Sequence, residues 1–403
     1  MSQLTLDTLL ANVANPHPAP WRIITKMTYF AGLIGTFGVG VLYLTVVRPV
    51  LSRSALRPRD RQLLEHRSAL LLASIGAWFL VALYFQIAGK AARVKGEEIP
   101  YGDALRPGTI WDYVRAPAEP GQWVSSGTLT LVQYLMWGVS AVLLMLLWSP
   151  RFRARPGGVV LAALLVAFTA HQVTLLPTDF GAATGHEFLD LVMNHVHVFA
   201  VSTWVGGIAG LVVLAATGRR IGTDAGPVWA RVWTRFGTVA LVAVGCTVIT
   251  GLFMAWMNVG SLGELFTTSF GRFLLLKVAL VAVMICLGGV NEFVMFPRMA
   301  QARAAGSQAS LFTLALRTVP ALVGIEVALS VTVLFVLTFL TGSARAEAGD
   351  PEPVLGTGVV LVGVLLVATL VVSFVATARL SQRLGRYIPP PARPNDPRVR
   401  AER

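Results

Sequence analysis

The chain is 403 residues long, 55% hydrophobic and only 13% charged, with a formal net charge of +13 and a mean hydropathy of +0.67. That composition excludes a string of soluble domains, because most of the chain lies in apolar runs of membrane-spanning length. It also excludes nucleic acid as the reason for the positive charge: the arginines sit in short connections between apolar runs, where the positive-inside rule accounts for them.

Residues 1–22 read as a polar external tail with no cleavable leader. Nine apolar runs follow, at about 23–47, 68–88, 128–148, 159–176, 191–217, 237–257, 272–295, 318–342 and 355–378. Lipid offers the backbone no hydrogen-bond partners and nothing alternates as barrel strands do, so an all-α polytopic bundle of about nine helices is expected. Of the 33 Lys and Arg residues, 23 fall on one side of this arrangement, which places the N-terminus outside and the C-terminus in the cytoplasm.

Five parts are expected along the chain. They are the tail 1–22, helices 1–3 over 23–158 with an external loop at 89–127, a core over 159–345, an added helix at 346–378, and a disordered cytoplasmic end at 379–403. Phe30-Ala31 and Gly38 recur at the same spacing as Phe199-Ala200 and Gly207, an echo that suggests a 4+4 duplication with a ninth helix appended. The two cysteines, Cys246 and Cys286, both lie inside apolar runs and argue against a disulfide framework.

The most informative stretch is Asp190 to Gly207, DLVMNHVHVFAVSTWVGG. Histidine at a bilayer is costly and marks a functional site. At 1.5 Å per residue His197 lies roughly 9 Å below the start of its span, and His171 roughly 7–8 Å below the same surface on the preceding antiparallel span. Equal depth predicts that His171 and His197 converge on one ion. Asp190, Met193, Asn194, His197 and Trp204 share one helical stripe, whereas His195 is roughly 200° around the helix.

Met254 and Met257 end the next span on the same side, and His186 and Glu187 lie in the loop between the two histidine-bearing spans. Imidazole with thioether is a ligand set for copper rather than for calcium or magnesium. Met193, His195, Met254 and Met257 are therefore candidate ligands beside His171 and His197. Asp190 serves as an acidic entrance, and Cys246, Cys286 and Glu326 are candidates for a deeper pathway. Glu326 and Lys277 differ in depth by more than roughly 10 Å and do not pair directly.

At these residues the chain resembles the copper resistance D family, with its YcnJ-like relatives. The likeness rests on His197 through Trp204 to Gly206-Gly207, on Gly271 through Lys277, on Asn291 to Pro297, on Arg317 with Glu326, and on His171 closing the preceding helix. It covers roughly 160–345 well, and 20–150 in general layout. Glu292 and His195 depart from the family pattern, and no copper-binding β-domain is attached. The resemblance implies copper handling at the bacterial cytoplasmic membrane, a periplasmic copper carrier as donor, and a transport rather than an enzymatic role. The alternatives are a redox protein holding haem b through the same histidines, and a non-transporting subunit of a membrane complex.

Overall fold

The computed structural model describes residues 18–54, 56–93, 99–173, 176, 185–350 and parts of 361–379. Residues 1–17 with His17, the side chains of His186 and Glu187, half of the ninth expected span and everything after Arg379 lie outside the described residues. Every described regular element is a helix.

Among the described residues, seven helices are long and apolar enough to cross a membrane. They are α1 (Pro20–Ser52), α2 (Pro58–Ala91), α3 (Ser126–Trp148), α5 (Phe188–Gly218), α6 (Gly226–Asn258), α7 (Ser269–Ala304) and α8 (Gln308–Leu337). Between α3 and α5 lies a shorter apolar helix, α4 (Pro156–Gln172), and Gly363–Ser373 is another. The seven long helices and α4 coincide in position with the first eight expected runs, and half of the ninth run lies outside the described residues. The long helices overrun their apolar cores because the backbone stays helical into the Arg-bearing ends, as at Arg59, Arg61 and Arg67 of α2. Proline opens α1, α2 and α4 at the first helical residue, where its missing N–H costs nothing.

Among the described residues four helices contain a π-helical segment, and three of these have a shared cause. Tyr43–Val47, Asn291–Met295 and Leu314–Thr318 stand immediately before Pro49, Pro297 and Pro320. A proline ring clashes with the carbonyl four residues earlier and leaves it without a donor, and the widened turn absorbs both faults. The fourth segment, Ser202–Gly206, contains no proline and runs into Gly206-Gly207.

α1 packs against α2, α2 against α3, and α3 against α4; α5 packs against α6, and α7 against α8. The two groups meet where α1 crosses α5. Gly38 and Gly206 make that crossing possible: a Cβ built on Gly38 would lie 2.1 Å from Ser202 O, and one on Gly206 would lie 2.2 Å from Ile34 O. Close backbone approach through small residues is the usual means of helix association in lipid. A core of Leu42, Val46, Leu72, Trp204, Leu211 and Trp233 fills one part of the bundle, and Phe37, Phe79, Tyr134 and Trp137 fill another. The segment expected as an external loop is folded against one end: Pro107–Val114 packs on α2 and α3, and Tyr101 stacks on Trp21 at 4.4 Å.

Candidate metal centre

α5 presents its two histidines to different neighbours. His195 is 8% exposed and turns toward α4, where its ring centroid stands 4.3 Å from that of His171. Its Nε2 lies 2.9 Å from the His171 carbonyl and its Nδ1 2.7 Å from the Leu191 carbonyl. A neutral imidazole has one N–H, so it donates to one of these carbonyls at a time. The His171 carbonyl belongs to the last turn of α4, where the Val173 N–H that caps the helix also reaches it. His195 thus ties the end of α4 to α5. His171 is itself edge-packed between Phe37 and Trp137, at centroid distances of 6.2 and 6.3 Å.

His197 faces α6 instead. Its Nδ1 lies 2.9 Å from Thr250 Oγ1. That hydroxyl in turn donates to the Cys246 carbonyl at 2.6 Å, so its lone pair receives the His197 Nδ1–H. The proton on Nδ1 leaves Nε2 with the lone pair, the form in which imidazole binds a metal. Gly251 keeps the space beside the ring open, since a Cβ there would stand 3.5 Å from His197 Cε1.

His195 and His197 do point apart, as 3.6 residues per turn requires. The contact that the structure shows for His171 is with His195, ring against ring, where the end of α4 meets α5. The rings of His171 and His195 stand in direct contact, with no gap for a porphyrin plane between them.

Met254 and Met257 are half-buried on α6, at i+4 and i+7 from Thr250, with Cys246 at i−4 on the same stripe. Asp190 and Met193 are half-buried on the His197 stripe of α5. Cys286 is exposed on α7, away from any partner cysteine, and Cys246 is also a free thiol. Among the described residues no group of three or more His, Cys, Asp or Glu side chains is gathered at metal-binding distance. A site here would draw on a histidine with thioethers.

Glu326 on α8 is 3% exposed and accepts a hydrogen bond from Asn291 Nδ2 of α7 at 2.9 Å. Sequence reasoning singled out Glu326 but missed this partner. Depth could have found it, since Asn291 and Glu326 lie within roughly 6 Å of one level when counted from the adjoining span ends.

Two comparisons with known proteins agree. Residues 230–340 match the family model for copper resistance protein D. Over 236 residues, 58% of this chain and 40% of the relative, the sequence is 29% identical to the copper transport protein CutJ of Bacillus subtilis (strain 168). Over 289 residues, 69% of this chain and 86% of the relative, it is 26% identical to the inner membrane protein YebZ of Escherichia coli (strain K12). The chain thus spans about two fifths of the length of CutJ. No solved structure matches. The family match takes in α6 to α8, with Thr250, the α6 methionines, Asn291 and Glu326, and leaves out His171, His195 and His197. Residues 230–340, from α6 to α8 of this all-helical chain, are thus similar to copper resistance protein D, and the chain as a whole is similar to a copper transport protein and to an inner membrane protein.

Proposed function

We propose that the chain takes copper at the outward end of the bundle and moves it across the cytoplasmic membrane or relays it to a partner, in copper resistance or homeostasis. The observation that carries this reading is the hydrogen bond from His197 Nδ1 to Thr250, which holds the ring and leaves Nε2 as donor. Beside it the α6 stripe of Met257, Met254 and Cys246 offers soft donors at successive depths, a pattern suited to copper and poor for hard cations. Met193 and Asp190 lie toward the mouth on α5, where the acid draws cations in. His171 and His195 form the adjoining imidazole pair, in which His195 reaches the end of α4 and His197 remains the principal ligand. Glu326 lies deeper still, and Cys286, exposed on α7, stands apart from this line. A periplasmic copper carrier is the donor that fits an outward-facing mouth.

The test is copper flux into lipid vesicles containing the purified protein. Wild type moves copper, His197→Ala abolishes the flux, and Thr250→Ser retains it while Thr250→Val does not. Absence of flux in wild type, with a partner protein co-purifying stably, refutes transport and favours the role of a non-transporting subunit.

A further inference from the structure

A cavity of about 460 Å³ lies inside the bundle between α5, α6, α7 and α8, away from His197. Its walls are apolar and aromatic, with Trp204, Trp233, Phe236 and Phe296 among them. Trp233 Nε1 already donates to the Ala315 carbonyl at 2.7 Å, so that side chain offers the cavity its ring rather than a donor. The polar residues of the wall are Asn291 and Glu326, which are hydrogen-bonded to each other, with Glu292 beside Asn291 on α7 and Ser373 from the helix Gly363–Ser373. Asn291 Nδ2 is spent on Glu326, and Asn291 Oδ1 is buried with no hydrogen-bond partner in a residue only 7% exposed. A buried acceptor left unmade is costly and favours any ligand that brings a donor to it.

Two of the π-helical segments meet here, since Trp204 and Asn291 each belong to one. Widened turns of this kind concentrate at functional sites. On the α7 side the wall is Ile285, Gly288 and Gly289, and a Cβ on either glycine would meet nothing within 4 Å. α7 exposes long stretches of apolar side chain, Val278, Val283 and Ile285 among them, so this side faces lipid. The volume falls within the roughly 300–1,000 Å³ typical of small-molecule sites.

We propose that this cavity binds a lipophilic hydroquinone, entering from the bilayer past Gly288 and Gly289. Its aromatic ring lies among the tryptophans and phenylalanines, and its hydroxyls donate to Asn291 Oδ1 and Glu326. The same dyad also fits the oxidised ring. With Glu326 protonated and the Asn291 amide turned over, the carboxyl donates to Asn291 Oδ1 and the amide N–H is free for a quinone carbonyl. The proposal does not rest on the copper reading.

The full-length protein in lipid nanodiscs, titrated anaerobically with decylhydroquinone, tests it through tryptophan fluorescence. Saturable quenching is expected, because Trp204 and Trp233 form the wall. Glu326→Leu is expected to weaken binding at least tenfold. Gly289→Phe, which projects a ring into open space and so leaves the fold intact, is expected to abolish saturation while copper content stays at the wild-type level. Decylbenzene, with the same ring and tail but no hydroxyls, is expected to bind at least tenfold more weakly. Equal binding of decylbenzene and decylhydroquinone would show a merely greasy, lipid-filled cavity and overturn the proposal, as would linear, non-saturating quenching in wild type or unchanged quenching in Gly289→Phe.

Discussion

Adding one methyl group at the α1–α5 crossing should loosen the whole bundle. In Gly206→Ala the new Cβ would sit 2.2 Å from Ile34 O and 2.9 Å from Gly38 Cα, where ordinary contact begins at 3.4 Å. Both obstacles are backbone atoms in helix interiors and cannot rotate away, so the two helices must part by roughly 1 Å, a gap that already forfeits a quarter to a half of each dispersion contact across it. The expected cost is about 1–3 kcal/mol, as for overpacking elsewhere. Gly38→Ala meets Ser202 O at 2.1 Å in the same crossing and should cost a similar amount. Once one methyl has parted the helices the second meets less resistance, so the double variant should lose less than the sum of the singles. Gly289→Ala, which meets nothing within 4 Å, is the control and should be neutral. Thermal unfolding in detergent, followed by near-UV circular dichroism, reads all four. Wild-type melting of Gly206→Ala, or strict additivity with Gly38→Ala, would refute the close crossing.

Other variants probe the site and its surroundings. Thr250→Val removes the partner of His197 Nδ1 and should lower copper affinity about 10–100-fold, with Thr250→Ser near wild type, as measured by competition with a chromogenic copper chelator. His195→Ala removes the ring that reaches the His171 carbonyl at the end of α4 and should destabilise the protein by about 0.5–1.5 kcal/mol, seen as faster amide exchange in the last turn of α4. At the junction of the 259–268 connection with Ala344–Ala348, the carboxyls of Glu264 and Asp350 converge beside Gly260. The Gly260 N–H holds the Glu264 carboxyl below its ordinary value, and the hydrogen bond with Glu264 raises that of Asp350. The raised acid stabilises the junction below its ordinary range and loses that contribution as pH rises through its folded value; the lowered one loses its contribution only on acidification through its own. Limited proteolysis of this connection should therefore be slowest in mildly acidic buffer and faster toward neutrality, and Asp350→Asn should remove the rise on the alkaline side.

The bundle was largely legible in the sequence because lipid permits so few solutions: long apolar runs must be helices, and their positions follow. Helix ends were less legible, since Arg59 to Arg67 are polar yet continue α2 without a break. The π segments had a readable cause in Pro49, Pro297 and Pro320, each at or just beyond the end of an apolar run. The histidines show where sequence stops being enough. Helical geometry separates His195 from His197, but only packing decides which faces α4 and which faces α6, and depth alone does not reveal that the His171 ring meets His195. Thr250 was missed because a threonine in an apolar helix usually returns its hydroxyl to its own backbone, as this one does toward Cys246, and only its spare lone pair reaches His197. The Asn291–Glu326 contact was hidden for a similar reason, since each residue reads singly until α7 and α8 are laid side by side.

Copper stoichiometry of the purified protein is the most direct measurement, with wild type, His197→Ala and His195→Ala loaded under the same conditions and analysed by elemental mass spectrometry. His197→Ala should come through purification folded and without its copper, while His195→Ala, though less stable, should retain it. Full copper in His197→Ala would contradict the assignment of His197 as the metal-binding histidine.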